Sequence, residues 1–97
     1  MTSYEAYLDQ CVARIDAVGL NCPLPLLKTK KALASAKPGD CVYLCATDPN
    51  SMRDLTGYAA QAGHVLLVAE ESAGLYHFVV EKNRGENSYA FGKVTPV

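Results

Sequence analysis

The sequence contains no tryptophan, only two phenylalanines and only two histidines. It has no excess of positive charge: nine Lys and Arg face ten Asp and Glu, for a formal net charge of -1. Nucleic-acid binders are usually basic and stack bases on aromatic platforms, so direct nucleic-acid binding is disfavoured. No run approaches the 18 or more apolar residues of a membrane span. The first ten residues, polar and tyrosine-bearing, lack the basic start and apolar stretch of an export signal, so the cytoplasm is the expected compartment. No phosphate loop and no dinucleotide fingerprint occur. His64 and His77 lie outside any recognisable Cys–His arrangement, which speaks against a base-assisted cysteine hydrolase.

What remains is a chain of 97 residues, 49% of them hydrophobic. That suits one domain with its own core and requires no disulfide or metal staple. Four cysteines are present, Cys11, Cys22, Cys41 and Cys45, expected as free thiols in a reducing compartment. Cys41 and Cys45 sit on one predicted strand, about 13 Å apart. A disulfide needs Cα atoms within about 7 Å, so this pair shares neither a bridge nor a tetrahedral zinc site. Both are read as structural, on the less covered sheet face with Tyr43. No metal site and no cofactor is expected. Cys11 could serve Cys22 as a resolving thiol, but no feature of the sequence supports that.

The hydropathy pattern organises the chain into a leader (1–11), a domain (12–82) and a polar, glycine-bearing tail (83–97). Val12 to Ala17 reads as a strand and Leu26 to Ala36 as a helix, with Leu26, Thr29, Leu33 and Ala36 toward the core. Lys37-Pro38-Gly39-Asp40 turns the chain. Cys41 to Thr47 alternates in the manner of a two-faced strand. Ser51 to Ala62 reads as a second helix, with Ser51 as N-cap, Asp54 as its capping-box partner and Gly63 as its stop. Val65 to Glu70 and Leu75 to Lys82 form a predicted hairpin. The order β-α-β-α-β-β predicts an α+β fold, a two-layer sandwich of two helices on one face of a mixed four-stranded sheet. Its first two strands should be parallel.

The chemical signal lies in Gly19-Leu20-Asn21-Cys22-Pro23-Leu24-Pro25. Prolines are at home in a helix's first turn, so Pro23 and Pro25 place Cys22 at or just before a helix start. Free amides and the helix dipole there favour a thiolate. Lys28, Lys30 and Lys31 add positive charge nearby. They are equally compatible with the solvated face of an amphipathic helix.

The landmarks Gly19-Leu20-x-Cys22-Pro23-x-Pro25, Pro38-Gly39, Asp48-Pro49 and Arg53-Asp54, in that order, resemble the TusA/SirA sulfur-carrier family from about Arg14 to Lys82. The resemblance implies a sulfurtransferase-like carrier in which Cys22 receives sulfane sulfur from a cysteine desulfurase or rhodanese. It then passes that sulfur to an acceptor protein in tRNA thiolation, molybdenum-cofactor maturation or sulfur metabolism. It implies supporting roles for Asp48 and Arg53. Both would lie with Cys22 at the C-terminal edge of parallel strands, where α/β sites form. Leu27, Lys28, Lys30 and Lys31 are the expected docking face, on a monomer or weak dimer. Leu24 and Ala34 stand where the tRNA-thiolation branch carries an acid and a base, which counts against that pathway. A module of another class remains: a non-catalytic interaction or regulatory domain, with an unreactive Cys22. Asp48-Pro49 is also an ordinary turn signal.

Overall fold

The computed structural model describes residues 3–83. A 3-10 turn (Ser3–Ala6) leads into β1 (Cys11–Ala17), α1 (Leu24–Ser35), β2 (Cys41–Ala46), α2 (Ser51–Ala62), β3 (Val65–Ser72) and β4 (Leu75–Glu81). The sheet order is β1-β2-β4-β3. β1 and β2 are parallel, and β4 is antiparallel to both β2 and β3. This is the mixed four-stranded sheet with two helices that the pattern of elements predicts.

Alternation in β2 divides its side chains between two environments. Val42, Leu44 and Ala46 are fully buried with Ala17, Leu33, Leu55, Phe78 and Val80, in the layer between sheet and helices. Cys41 faces the other way, in a smaller cluster with Val68 and Val79 that Tyr4, Tyr7, Cys11 and Tyr43 pack against. Tyr4 stacks on His77 with ring centroids 4.0 Å apart, so the N-terminal turn covers part of the sheet face that the helices leave open. Tyr43 and His77 close this patch with a hydrogen bond of 2.7 Å between the hydroxyl and Nδ1.

Helix α1 begins two residues earlier than its hydropathy suggests. Pro25 sits in its first turn, where a missing N–H costs nothing, and is buried with Thr29 and Leu33. Leu26 and Ala36, expected on the core face, are only half-buried. Buried Thr29 is satisfied by donating its hydroxyl hydrogen bond to the Pro25 carbonyl, 2.9 Å away, a back-bond typical of helical Thr. Helix α2 corrects the predicted cap. Asn50 holds the N-cap position without a side-chain bond. Ser51 is the first helical residue, and its buried Oγ has no hydrogen-bond partner among the described residues. Gly63 ends α2 in the left-handed region at φ 80°.

The β3–β4 hairpin closes through two residues, with Ser72 paired to Leu75. Ala73 (φ 54°) and Gly74 (φ 83°) both lie in the left-handed region. Two-residue turns of this kind favour Asn-Gly, because a Cβ at positive φ is strained. Ala73→Asn is therefore expected to stabilise the fold by about 0.5–1 kcal/mol, read as a higher midpoint in urea unfolding. An unchanged or lower midpoint would show that Ala73 bears no strain.

The expected leader ends one residue inside the sheet, because Cys11 opens β1. Of the expected tail, Asn83 is bonded to the rest of the fold: its N–H donates to His64 Nδ1 and its side-chain amide donates to the Ala62 carbonyl. The remainder, 84–97, lies outside the described residues.

Candidate functional site

Two loops meet at the C-terminal ends of parallel β1 and β2. The first turns at Gly19, whose φ of 83° suits glycine. Its N–H donates to Thr47 Oγ1 at the end of β2, 2.9 Å away. The second loop is organised by Asp48. One of its carboxylate oxygens accepts the N–H of Asn50 at 2.9 Å, and the other accepts the N–H of Cys22. These amide bonds, Asn50 first and Cys22 next, hold the Asp48 carboxyl below its usual range. Asp48 thus does more than turn the chain before Pro49: it fixes the backbone of the cysteine from across the sheet edge.

Pro23 occupies the N-cap position of α1, so Cys22 lies one residue outside the helix. Its side chain is exposed. The thiol donates a hydrogen bond to Asp54 Oδ2, 2.8 Å away. Asp54 sits in the first turn of α2 with its side chain 18% exposed, and its other oxygen lies 3.5 Å from Arg53 Nε. Arg53 itself is 75% exposed. The structure therefore brings Cys22, Pro23, Pro25, Asp48 and Arg53 to one edge, and adds Asp54 to them.

Asp54 reverses the electrostatic expectation. A helix start should lower a thiol's pKa, but that of Cys22 is raised. The largest cause is the hydrogen bond to Asp54, which favours the protonated thiol. Lost hydration and the charges of Asp54 and Asp48 push the same way, and Arg53 pulls against them. Carboxylates brought in by the second loop outweigh the helix end and one guanidinium. Arg53 is the cation that pulls the Cys22 thiol back down. Lys28, Lys30 and Lys31 are all exposed on α1. Lys30 Nζ lies over the Tyr58 ring, 5.2 Å from its centroid, and Lys28 and Lys31 line a groove beside β1 with Arg14 and Asp16. Leu24 and Leu27, 46% and 51% exposed, form an apolar patch on the first turns of α1.

Asp54 was legible only as a capping partner of Ser51. The signal that could have found it is the Arg53-Asp54 pair among the ordered landmarks. Cys11 cannot resolve Cys22 within one chain, because they flank opposite ends of β1, a strand about 20 Å long. Its sulfur lies instead 3.3 Å from that of Cys41. His77 is buried against Tyr43 and Tyr4 on the open sheet face, and His64 bonds Tyr58 and Asn83. Among the described residues no three His, Cys, Asp or Glu side chains gather as metal ligands. No helix among them is long and apolar enough to cross a membrane.

Residues 13–82 match the family described as Sulfurtransferase TusA. The sulfur carrier protein TusA of Allochromatium vinosum is 42% identical over 69 residues, covering 71% of this chain and 91% of that protein. The protein of the same name from Pseudomonas aeruginosa is 36% identical over 70 residues, covering 72% and 89%. Among solved structures, a SirA-like protein of Desulfitobacterium hafniense superposes with a TM-score of 0.65 at 28% identity, covering 73% of this chain and 97% of that one. With an exposed cysteine where two loops converge at the sheet edge, and with a family match that runs from β1 to the end of β4, the chain belongs to the TusA family of sulfur carriers.

Proposed function

We propose that this sulfur carrier holds its cargo as a persulfide on Cys22, takes it from a donor protein and yields it to an acceptor protein. The observation that carries this reading is the exposed Cys22 sulfur. Asp48 fixes its backbone and Asp54 engages its thiol, and no wall of side chains surrounds it. The Cys22 sulfur attacks the outer sulfur of the donor persulfide. A new S–S bond forms, the old one breaks, and the donor cysteine leaves as thiolate. The Cys22 proton passes to Asp54 or to solvent. An acceptor thiol then attacks the outer sulfur, and Cys22 leaves as thiolate.

The raised pKa gives this carrier a resting state in which the thiol is held protonated by Asp54. A donor that draws Asp54 onto Arg53, or offers its own cation to that carboxylate, frees the thiolate within the complex. Such gating would spare an exposed cysteine from oxidation, which follows thiolate character. Leu24 and Leu27 supply an apolar docking patch, with Lys28, Lys30 and Lys31 around it for an acidic partner surface. The donor class is a cysteine desulfurase or rhodanese, and the compartment is the cytoplasm, where thiols stay reduced.

The protonated thiol also favours a second reading, an interaction module whose Cys22 is unreactive. One experiment separates the two. The protein is incubated with a cysteine desulfurase and cysteine, and its intact mass is measured. A carrier gains one sulfur, and Cys22→Ser gains none. No addition to the unaltered chain selects the interaction module, and addition that survives Cys22→Ser removes Cys22 as the site.

A further inference from the structure

Cys11 and Cys41 lie 30 positions apart in sequence yet are direct partners across the parallel β1–β2 pair. Their sulfurs are 3.3 Å apart, and both are free thiols. Neighbouring strands run about 4.8 Å apart, inside the Cα separations that disulfides span, so joining the sulfurs at about 2.05 Å needs only a small side-chain movement. The sulfurs differ in access: Cys41 is 6% exposed and Cys11 is half-buried. Tyr4 and Tyr7 of the N-terminal segment pack over the same cluster.

We propose that Cys11 and Cys41 form a second thiol site, oxidised by hydrogen peroxide to an intrachain disulfide that ties edge strand β1 to β2. Cys11 is the sulfur a small oxidant reaches. It attacks one peroxide oxygen, and the O–O bond breaks. Cys11 becomes a sulfenic acid, while the departing hydroxide takes the thiol proton as water. The Cys41 sulfur then attacks the Cys11 sulfur. The S–S bond forms, the S–O bond breaks, and hydroxide leaves as water with the Cys41 proton. The two sulfurs give up two electrons, and one peroxide is reduced to two waters.

Burial, followed by the hydrogen bond and charge of Cys41, pushes the Cys11 thiol up to about 12. Oxidation is therefore slow at neutral pH and accelerates as pH rises toward that value. Cys45 lies at the far end of β2, beyond reach of either sulfur. The site stands whether or not Cys22 carries sulfur, because the two lie at opposite ends of β1.

The test uses the full chain carrying Cys22→Ala, which removes the exposed thiol. After exposure to hydrogen peroxide at pH 8, the intact mass, once any oxygen added at Met1 and Met52 is subtracted, should fall by two hydrogens. Thiols titratable in denaturant should drop from three to one, and dithiothreitol should restore them. Fragmentation of the linked peptides should join Cys11 to Cys41 and not to Cys45. The further substitution Cys11→Ser, at a half-buried position on the rim of the smaller cluster, should abolish the hydrogen loss. Oxygen addition without a crosslink, a bond to Cys45, a bond between two chains, or three thiols surviving prolonged exposure would each overturn the proposal.

Discussion

Asp54→Asn is expected to make Cys22 react faster with iodoacetamide at pH 7, by several-fold, and to move the pH midpoint of alkylation downward. The carboxylate of Asp54 accepts the thiol hydrogen bond at 2.8 Å, and this bond is the first cause of the raised pKa. Asparagine removes the charge and offers an N–H that can donate to a thiolate, so both changes favour the anion. The gain in rate is smaller than the gain in thiolate. A less basic sulfur is also a weaker nucleophile, with a Brønsted coefficient of about 0.4–0.5, which cancels nearly half of the gain on a logarithmic scale. Arg53→Ala should act oppositely. Its guanidinium is the group that lowers the Cys22 pKa, so its loss leaves the thiol more firmly protonated and slower to alkylate. Two adjacent substitutions with opposite signs would be hard to obtain from a general loosening of the loop. If Asp54→Asn slows alkylation instead, Asp54 is the base that removes the proton, and the resting-state account fails.

The contrast between what was legible and what was not follows the range of the interactions. The order of elements is written in local punctuation. Pro38-Gly39, Asp48-Pro49 and Gly63 end or turn segments through the backbone of a few adjacent residues, and the alternation of Val42, Leu44 and Ala46 marks a buried strand face within six residues. The start of α1 shifts by two residues because a proline in a first turn leaves no mark in hydropathy. The strand order β1-β2-β4-β3 depends on pairings between distant segments, which no local pattern encodes. The site divides in the same way. Cys22 between its prolines is a local motif, and Asp48 and Arg53 were reached through the ordered landmarks of a family. The sign of the Cys22 pKa shift was not reachable. A helix start predicts a lowered value, and the outcome is decided by Asp54, 32 positions away. The Cys11–Cys41 contact is hidden for the same reason, since it exists only once β1 and β2 are in register.

The geometry of the cysteine turn depends most on Asp48, and Asp48→Ala is expected to slow sulfur loading of Cys22 by roughly ten- to a hundred-fold, the scale on which small misplacements of reacting atoms act. Its two oxygens accept two amides from two different loops, Cys22 and Asn50. Alanine leaves both N–H groups to solvent, so the β1–α1 loop keeps only the Gly19–Thr47 bond to the end of β2 and the sulfur samples orientations away from the donor. Far-UV circular dichroism should stay unchanged, because Asp48 is not among the residues that build or pack against the core of Val42, Leu44, Phe78 and Leu55. Asp48→Asn should recover part of the rate, since its single carbonyl oxygen can accept one of the two amides. The same contacts set a pH signature. A carboxyl held below its ordinary value of 3.8 contributes its full effect above that value, and loses it as pH falls through the depressed folded value. The amide proton of Cys22, followed by NMR, should therefore titrate below pH 3.8, and this step should vanish in Asp48→Ala. Loading at the original rate in Asp48→Ala would mean that the proline-braced turn holds the cysteine unaided.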